Sequence, residues 1–272
     1  MKLKGDFHIH TKFSDAVDTP EEMVQKAIEL GFTTLGFTDH AFLEYENEWT
    51  MTRAGADRYF DEIHRLKEQY KDRLEILCGI EQDFYSPDPV DRYDYVIGSV
   101  HGMEKDGRVW EVDYSLDGFK ETVAQGYGGD PYAMIEDYFA HLERVTEQIP
   151  KTTIVGHIDL VTKYQEVYPS FEEDHPRYLT AAERAVRKLV QSGALFEVNC
   201  GAMSRGYRTT PYPNPRWLKL IRELGGEVII TGDCHDLRFL GKGFDQALEL
   251  VRSCGFTRVA TLTAKGREYI EL

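Results

Sequence analysis

Six of the nine histidines in this 272-residue chain sit in short motifs with other potential metal ligands or close an apolar run. His8-Ile9-His10 and Asp233-Cys234-His235 each carry two donors at i and i+2. That spacing projects both side chains to the same side of an extended strand. Asp39-His40, Glu81, His101 and His157 add further imidazoles and carboxylates. Borderline divalent ions such as zinc, iron and manganese favour this mixture of donors. Each motif is weak alone, because a lone His-X-His is a common coincidence and a lone buried histidine is ordinarily a satisfied core group. Six imidazoles and their carboxylates gathered in one place would carry a large desolvation cost. Metal coordination removes that cost, so the set predicts a metal site. His64 and His141 lie in amphipathic helical stretches and His175 in a polar loop. These three predict ordinary solvated or capping roles.

Short apolar runs at 3–9, 34–38, 74–80, 93–100, 153–158, 194–198 and 227–231 alternate with helical patterns, and an extra run covers 258–262. Such alternation signals βα units and a mostly parallel sheet. The helices carry their own boundaries. Thr19-Pro20-Glu21-Glu22 and Thr180-Ala181-Ala182-Glu183 read as capping boxes, Asp130-Pro131 and Asn214-Pro215 as further helix starts, and Gly31 and Gly193 as stops. The chemistry-bearing residues fall where the strands end. His8 and His10 close the first, Asp39-His40 the second, and Glu81 follows the third. His101 and His157 end the fourth and fifth, Glu197 and Asn199 the sixth, and Asp233 to His235 the seventh. In parallel α/β architectures those ends share one face, where ligands bind. Seven strands predict a closed or nearly closed barrel, although the pattern alone also fits an open doubly wound sheet. No glycine-rich phosphate loop follows the first strand.

Composition narrows the class. Hydrophobic residues at 42% and aromatics at 12% exclude a disordered chain. The net charge of −15 argues against a nucleic-acid binder. No apolar run approaches the roughly 20 residues of a membrane span. The stretch Met1 to Asp6 shows no apolar signal segment, which predicts a cytoplasmic protein. Cys78, Cys200, Cys234 and Cys254 form no CxxC pair and read as reduced thiols.

In order along the chain, His8-Ile9-His10-Thr11 with Ser14-Asp15, Thr38-Asp39-His40, Gly79-Ile80-Glu81, Ser99-Val100-His101, Gly156-His157, Glu197-Val198-Asn199 and Gly232-Asp233-Cys234-His235 resemble the motifs of the polymerase and histidinol phosphatase (PHP) superfamily. The stretch from Glu197 to Pro213, with Arg205 and Tyr212-Pro213, narrows the resemblance to the monofunctional histidinol-phosphate phosphatases. Family members usually read Ser-Asp-Ala-His where this chain has Gly232-Asp233-Cys234-His235, which places a thiol beside the site. The resemblance spans nearly the whole chain. It implies one domain over residues 1–272, an α/β distorted seven-stranded (β/α)7 barrel, and three divalent ions of zinc, iron or manganese.

Carried over residue by residue, the resemblance implies that His8, His10, Glu81 and Asp233 hold the first ion. Glu81 would bridge to a second, held also by His101 and His157. Asp15, His40 and His235 would hold the third. Taken alone, Ser14-Asp15 reads only as a turn. Asp39 would orient a ligand rather than bind an ion. Glu81, Asp233 and His235 would be central to catalysis, and a metal-bridging hydroxide would attack phosphorus in line, releasing an alcohol and phosphate. Arg205 and Lys163, with Arg208 as a further candidate, would complete the phosphate pocket. The long loop 41–56 holds Glu44, Tyr45, Glu48, Trp49 and Arg53, which could cover an imidazole and an ammonium or pack on the rim. The glycines of 126–130 predict a mobile segment.

The expected activity is hydrolysis of L-histidinol phosphate in histidine biosynthesis. The alternatives are another small phosphomonoester or nucleotide as substrate, or a metal-binding module without catalysis. The partner expected is a small-molecule phosphomonoester, with no nucleic acid and no membrane. Oligomeric state is left open.

Overall fold

Alternating apolar runs leave each strand dependent on its neighbours for burial, and the chain solves this by curling one long sheet inside a layer of helices. The computed structural model describes residues 2–272. Its strands are β1 (Gly5–Asp6), β2 (Thr34–Phe37), β3 (Glu75–Asp83), β4 (Tyr95–Ser99), β5 (Gly102–Lys105), β6 (Arg108–Glu111), β7 (Ile154–Val155), β8 (Leu195–Asn199), β9 (Val228–Thr231), β10 (Arg258–Thr263) and β11 (Gly266–Glu271). Nine of them form one sheet in the order β1-β2-β3-β4-β7-β8-β9-β10-β11. Neighbours are parallel from β1 to β10, and only the β10–β11 pair is antiparallel. β5 and β6 make a separate antiparallel hairpin.

The segments after β1 and β9, six places apart in the strand order, approach each other. Ile9, just past β1, bridges in parallel to Cys234, just past β9. His10 N–H donates to the Cys234 carbonyl at 2.9 Å, and Cys234 N–H donates to the His8 carbonyl at 3.0 Å. The concave side is filled by one apolar cluster that includes Phe7, Tyr95, Ile97, Ile154, Leu195 and Leu262. Burying side chains of this size contributes about 1.5–3 kcal/mol each. The Tyr95 hydroxyl crosses that interior to donate to the Phe7 carbonyl at 2.8 Å. Residues facing the other way pack beneath the helices in a second, larger core.

The helices are α1 (Pro20–Leu30), α2 (Arg53–Tyr70), α3 (Leu116–Glu121), α4 (Pro131–Leu142), α5 (Val145–Gln148), α6 (Pro176–Val190), α7 (Gly201–Ser204), α8 (Pro215–Glu223) and α9 (Phe244–Ser253). The capping box at Thr19 and Glu22 forms in both directions. Asp130 and Asn214 cap α4 and α8 as expected. Thr180 does not open a helix. His175 caps α6 four residues after Phe171, and Pro176 supplies the first helical position, so Thr180 lies inside the helix. Thr52 caps α2, which shortens the loop expected over 41–56. At the start of the 126–130 segment, Lys105 Nζ donates to the Gly126 carbonyl at 2.8 Å. No helix among the described residues is long and apolar enough to cross a membrane.

Each expected strand is present, with shifted ends. The run at 3–9 yields only the two residues of β1, while β3 runs on to Asp83, so Glu81 lies within a strand rather than past one. β11 and the β5–β6 hairpin extend the sheet inventory beyond the runs read from sequence.

Candidate metal centre

The polar ends of the parallel strands deliver their side chains to one buried cluster. His8 and His10 come from the segment after β1, His40 from that after β2, Glu81 from within β3 and His101 from just past β4. His157 follows β7, and Asp233 and His235 follow β9. His8 Nε2 and His10 Nε2 lie 3.1 and 3.5 Å from Glu81 Oε2. His10 Nε2 is also 3.5 Å from Asp233 Oδ1. The other oxygen of Glu81, Oε1, stands 3.2 Å from His157 Nε2 and 3.5 Å from His101 Nε2. Asp15 completes a third group, with Oδ2 at 3.3 Å from His235 Nε2 and Oδ1 at 3.9 Å from His40 Nε2. All nine candidate ligands lie in one cluster, and the groups close enough to share an ion are His10, Asp15, His40 and His235, then His8, His10 and Asp233, then His40, Glu81 and His101. His40 also turns Nδ1 to Glu81 Oε2 at 2.9 Å, so it faces both Asp15 and the bridging carboxylate.

The donor chemistry fits divalent ions. Tetrahedral ligands on bonds of about 2.1 Å stand about 3.4 Å apart, close to these separations. His8 Nε2, both nitrogens of His10 and Glu81 Oε2 are buried without a hydrogen-bond partner. Orphaned buried polar atoms cost about 1–3 kcal/mol each, and coordination relieves that cost. Burial opposes ionisation of Glu81, yet His8, His40 and His101 hold it well below the usual carboxylate range. Burial likewise opposes charge on Asp233, and Arg205 and His8 keep it ionised. Burial, with His235 and His40 alongside, pushes His10 well below the ordinary imidazole value and keeps it neutral. Burial opposes charge on His8, His40 and His101 too, but Glu197, Glu81, Asp15 and Asp83 hold them above the ordinary imidazole value, so an ion binding there would displace their protons.

Further residues aim these donors. Glu197 Oε1 meets His8 Nδ1 at 2.5 Å and accepts the Thr231 hydroxyl at 2.6 Å, while Oε2 accepts His157 N–H at 2.8 Å. Fixing Nδ1 leaves Nε2 of His8 free for the cluster. Asp83 does the same for His101, with Oδ2 at 3.1 Å from Nδ1. Asp39 pins the loop that carries Asp15, accepting Thr11 N–H at 2.9 Å and Ser14 N–H at 3.0 Å. Asp233 adopts φ of +46°, a conformation rare outside glycine. A Cβ on Gly201 would stand 2.5 Å from Asp233 Oδ2, so only glycine leaves that carboxylate in place. Cys234 alternates away from the cluster into the larger core, and all four cysteines are free and buried.

A cavity of about 230 Å³ opens over the cluster and is lined by Asp15, His40, Glu81, His101, His157, Asp233 and His235, with Arg205 and Lys163 on its walls. Arg205 Nη2 donates to Asp233 Oδ2 at 3.1 Å. Lys163 Nζ pairs with Asp113 Oδ2 at 3.1 Å. Arg208 does not line this cavity. Its guanidinium is buried, donating to the Thr162 carbonyl at 3.3 Å and stacking over Tyr212. In the 41–56 loop, Trp49 packs its indole against His40 and His101, with centroids 4.7 and 5.1 Å away. Glu44 and Arg53 pair with each other at 3.6 Å, and neither lines the cavity.

The ordinary histidines behave as read. His175 caps α6, His64 bonds the Phe60 carbonyl, and His141 bonds Asp137 and Tyr85. Sequence reasoning passed over Asp83, Glu111 and Asp113. Asp83 is two residues past Glu81 and so shares its side of β3, a spacing that could have identified it. Glu111 ends, and Asp113 follows, the hairpin that no apolar run announced.

Comparison with known proteins follows the same lines. A family model described as the PHP domain matches residues 6–201. A Schizosaccharomyces pombe protein named "Probable histidinol-phosphatase" is 26% identical over 95% of this chain and 87% of its own length. The histidinol-phosphatase of Bacillus subtilis is 26% identical over 90% of this chain and 98% of its own. The crystal structure of histidinol phosphate phosphatase from Lactococcus lactis, in complex with zinc, L-histidinol and phosphate, superposes with a TM-score of 0.74. It is 22% identical, covers 98% of this chain and 100% of that one, and shows that the fold is shared.

Proposed function

The chain belongs to the PHP domain family, and from that premise we propose that it is a metal-dependent phosphomonoesterase hydrolysing L-histidinol phosphate to L-histidinol and inorganic phosphate. One observation carries the chemistry. Glu81 divides its two oxygens between separate imidazole groups, and Asp15, His40 and His235 stand beside them at the floor of one cavity. The curated relatives named above, and the zinc, histidinol and phosphate held by the Lactococcus lactis enzyme, support the substrate. In this reading residues 1–272 form one catalytic domain, a distorted seven-stranded barrel with β10 and β11 appended. The enzyme works in the cytoplasm on a small molecule.

His8, His10, Glu81 and Asp233 would hold one ion, Glu81, His101 and His157 a second, and Asp15, His40 and His235 a third. Zinc, iron or manganese ions there supply Lewis acidity that activates water near neutral pH and offsets phosphate charge. Asp233 and His235 line the cavity, so their placement bears on where the phosphate can approach. Arg205 is held against Asp233 and His235 and presents a guanidinium to equatorial phosphate oxygens, which it matches with two donors. Lys163 adds a point charge from the wall of the same cavity, fixed by Asp113. Trp49 covers His40 and His101 and limits water there.

The test is a substrate panel of L-histidinol phosphate, nucleoside monophosphates and p-nitrophenyl phosphate, run with metal-loaded protein. The reading expects the highest kcat/KM on histidinol phosphate. A preference for a nucleotide would replace the substrate while keeping the chemistry.

A further inference from the structure

One edge of the nine-stranded sheet is left open. β11 is its last strand and pairs only with β10, in an unbroken antiparallel register from Arg258 opposite Glu271 to Thr263 opposite Gly266. Leu272 N–H donates to the Thr257 carbonyl at 2.8 Å, which sets the phase of the ladder. Even-numbered residues of β11 therefore bond β10, and the main-chain N–H and C=O groups of Arg267, Tyr269 and Glu271 point away from it. No hydrogen bond engages those outward groups among the described residues. Edges of this kind are normally blocked by proline, a bulge or a covering element. β11, of sequence Gly-Arg-Glu-Tyr-Ile-Glu and largely exposed, has none of these.

The sequence of the edge is complementary to itself. Two copies of β11 laid antiparallel, with Tyr269 on the two-fold axis, bring Arg267 of each opposite Glu271 of the other. Glu268 then faces Ile270, and no like charges stand opposite each other. The residues hydrogen-bonded in this register are the outward-facing ones, so phase and charge agree. Centring the axis on Glu268 instead would set that acid against its own copy. Glu271 is exposed and makes no ion pair or side-chain hydrogen bond among the described residues. Arg267 holds Glu227 at 3.2 Å and the Gly193 carbonyl at 3.1 Å, and its remaining N–H donors are open to a second carboxylate.

We propose that β11 is the contact surface of a homodimer, in which two copies join edge to edge into one continuous sheet, with Arg267 and Glu271 setting the register. The partner is a second copy of this chain because the charges match under a two-fold axis. The turn between β10 and β11 meets the start of β3, where Ala264 N–H donates to Glu75 Oε1 at 3.2 Å. Glu81 lies about 20 Å further along that strand, so the joint is remote from the metal centre. The net charge of −15 on each copy opposes association, but it is screened beyond about 8 Å at physiological salt. Strand pairing of this length buries less than about 1,200 Å², so the dimer is reversible.

Sedimentation velocity at physiological salt, over a range of concentrations, tests this on the wild type, Glu271→Lys and Asp61→Lys. Asp61 is exposed on α2 and gives the same change in charge away from the edge. The wild type and Asp61→Lys should move from the mass of one chain to twice that mass as concentration rises. Glu271→Lys sets like charges opposite each other at both ends of the contact and should raise the dimer dissociation constant by at least about tenfold. Tyr269→Cys tests the register. Cα atoms of a hydrogen-bonded antiparallel pair stand about 5.5 Å apart, within disulfide reach, so mild oxidation should give a covalent dimer on a non-reducing gel. The four native cysteines are buried and do not compete. A wild type that stays monomeric throughout overturns the proposal, as does a Glu271→Lys dimer as tight as that of the wild type. Failure of Tyr269→Cys to cross-link overturns it as well. None of these outcomes bears on the phosphatase reading.

Discussion

His8 Nδ1 and Glu197 Oε1 stand 2.5 Å apart in the buried centre, joining the end of β1 to β8 across 189 positions of sequence. The contact decides which nitrogen of His8 is left for an ion. Thr231 and the His157 backbone share the same carboxylate, so one residue sets three neighbours of the cluster.

Glu197→Gln weakens that orientation without emptying the space. Loss of a carboxylate behind a ligating histidine costs about 10–100-fold in metal affinity. Competition with a chelator of known affinity checks this. An unchanged affinity would mean that His8 needs no partner.

Arg205 donates to Asp233 and lines the cavity. Arg205→Ala should lower kcat/KM by about 10–1000-fold with the bound metal retained. Metal analysis of the same sample separates a phosphate contact from a prop for Asp233. Full activity would remove Arg205 from the site.

Gly201→Ala tests the tightest approach at the centre. The added Cβ meets Asp233 Oδ2 at 2.5 Å, next to a backbone already at φ of +46°. Overpacking of this kind costs about 1–3 kcal/mol and should displace the carboxylate. The expected result is a deficit of bound metal after dialysis with the circular dichroism spectrum preserved. A full complement of metal would show that the loop relaxes freely.

His141 gives a pH dependence away from the cluster. Burial would lower its pKa, but the Asp137 side chain and carbonyl raise it above the ordinary 6.5. The folded protein therefore favours the protonated form. That stabilisation is complete below pH 6.5 and is lost as pH rises through the raised value. The ring is part-exposed, so solvent screening limits the effect to about 0–1 kcal/mol. His141→Gln should thus lower Tm more at about pH 5.5 than at about pH 9, relative to the parent at each pH. Equal Tm losses at both would contradict the pairing.

Much of the centre was legible in the sequence because a parallel sheet turns strand ends into neighbours. His8, His10, His40, His101, His157 and His235 could be placed together from periodicity alone, before any contact was known. Asp15 could not, since a loop residue carries no period, and only family resemblance assigned it. The structure supplies the missing reason: Asp39 accepts from Thr11 and Ser14 and so fixes the loop. Arg208 shows what a loop position leaves out. Its place in a loop at the expected face did not reveal that Thr162 and Tyr212 take up its guanidinium. Glu111 and Asp113 stayed hidden because β5 and β6 lie outside the main sheet and are partly exposed, with no continuous apolar run to mark them. The hairpin of β10 and β11 was only half visible, since β11 carries Arg267, Glu268 and Glu271 on a largely exposed strand.

The account turns on metal-dependent release of phosphate from L-histidinol phosphate. The direct measurement compares initial rates for protein as loaded with zinc or manganese, the same protein stripped by a chelator, and the stripped protein after metal is restored. The structure predicts turnover in the first, a loss of at least about 100-fold in the second, and recovery in the third. Equal rates from loaded and stripped protein, or no phosphate release from either, would contradict it.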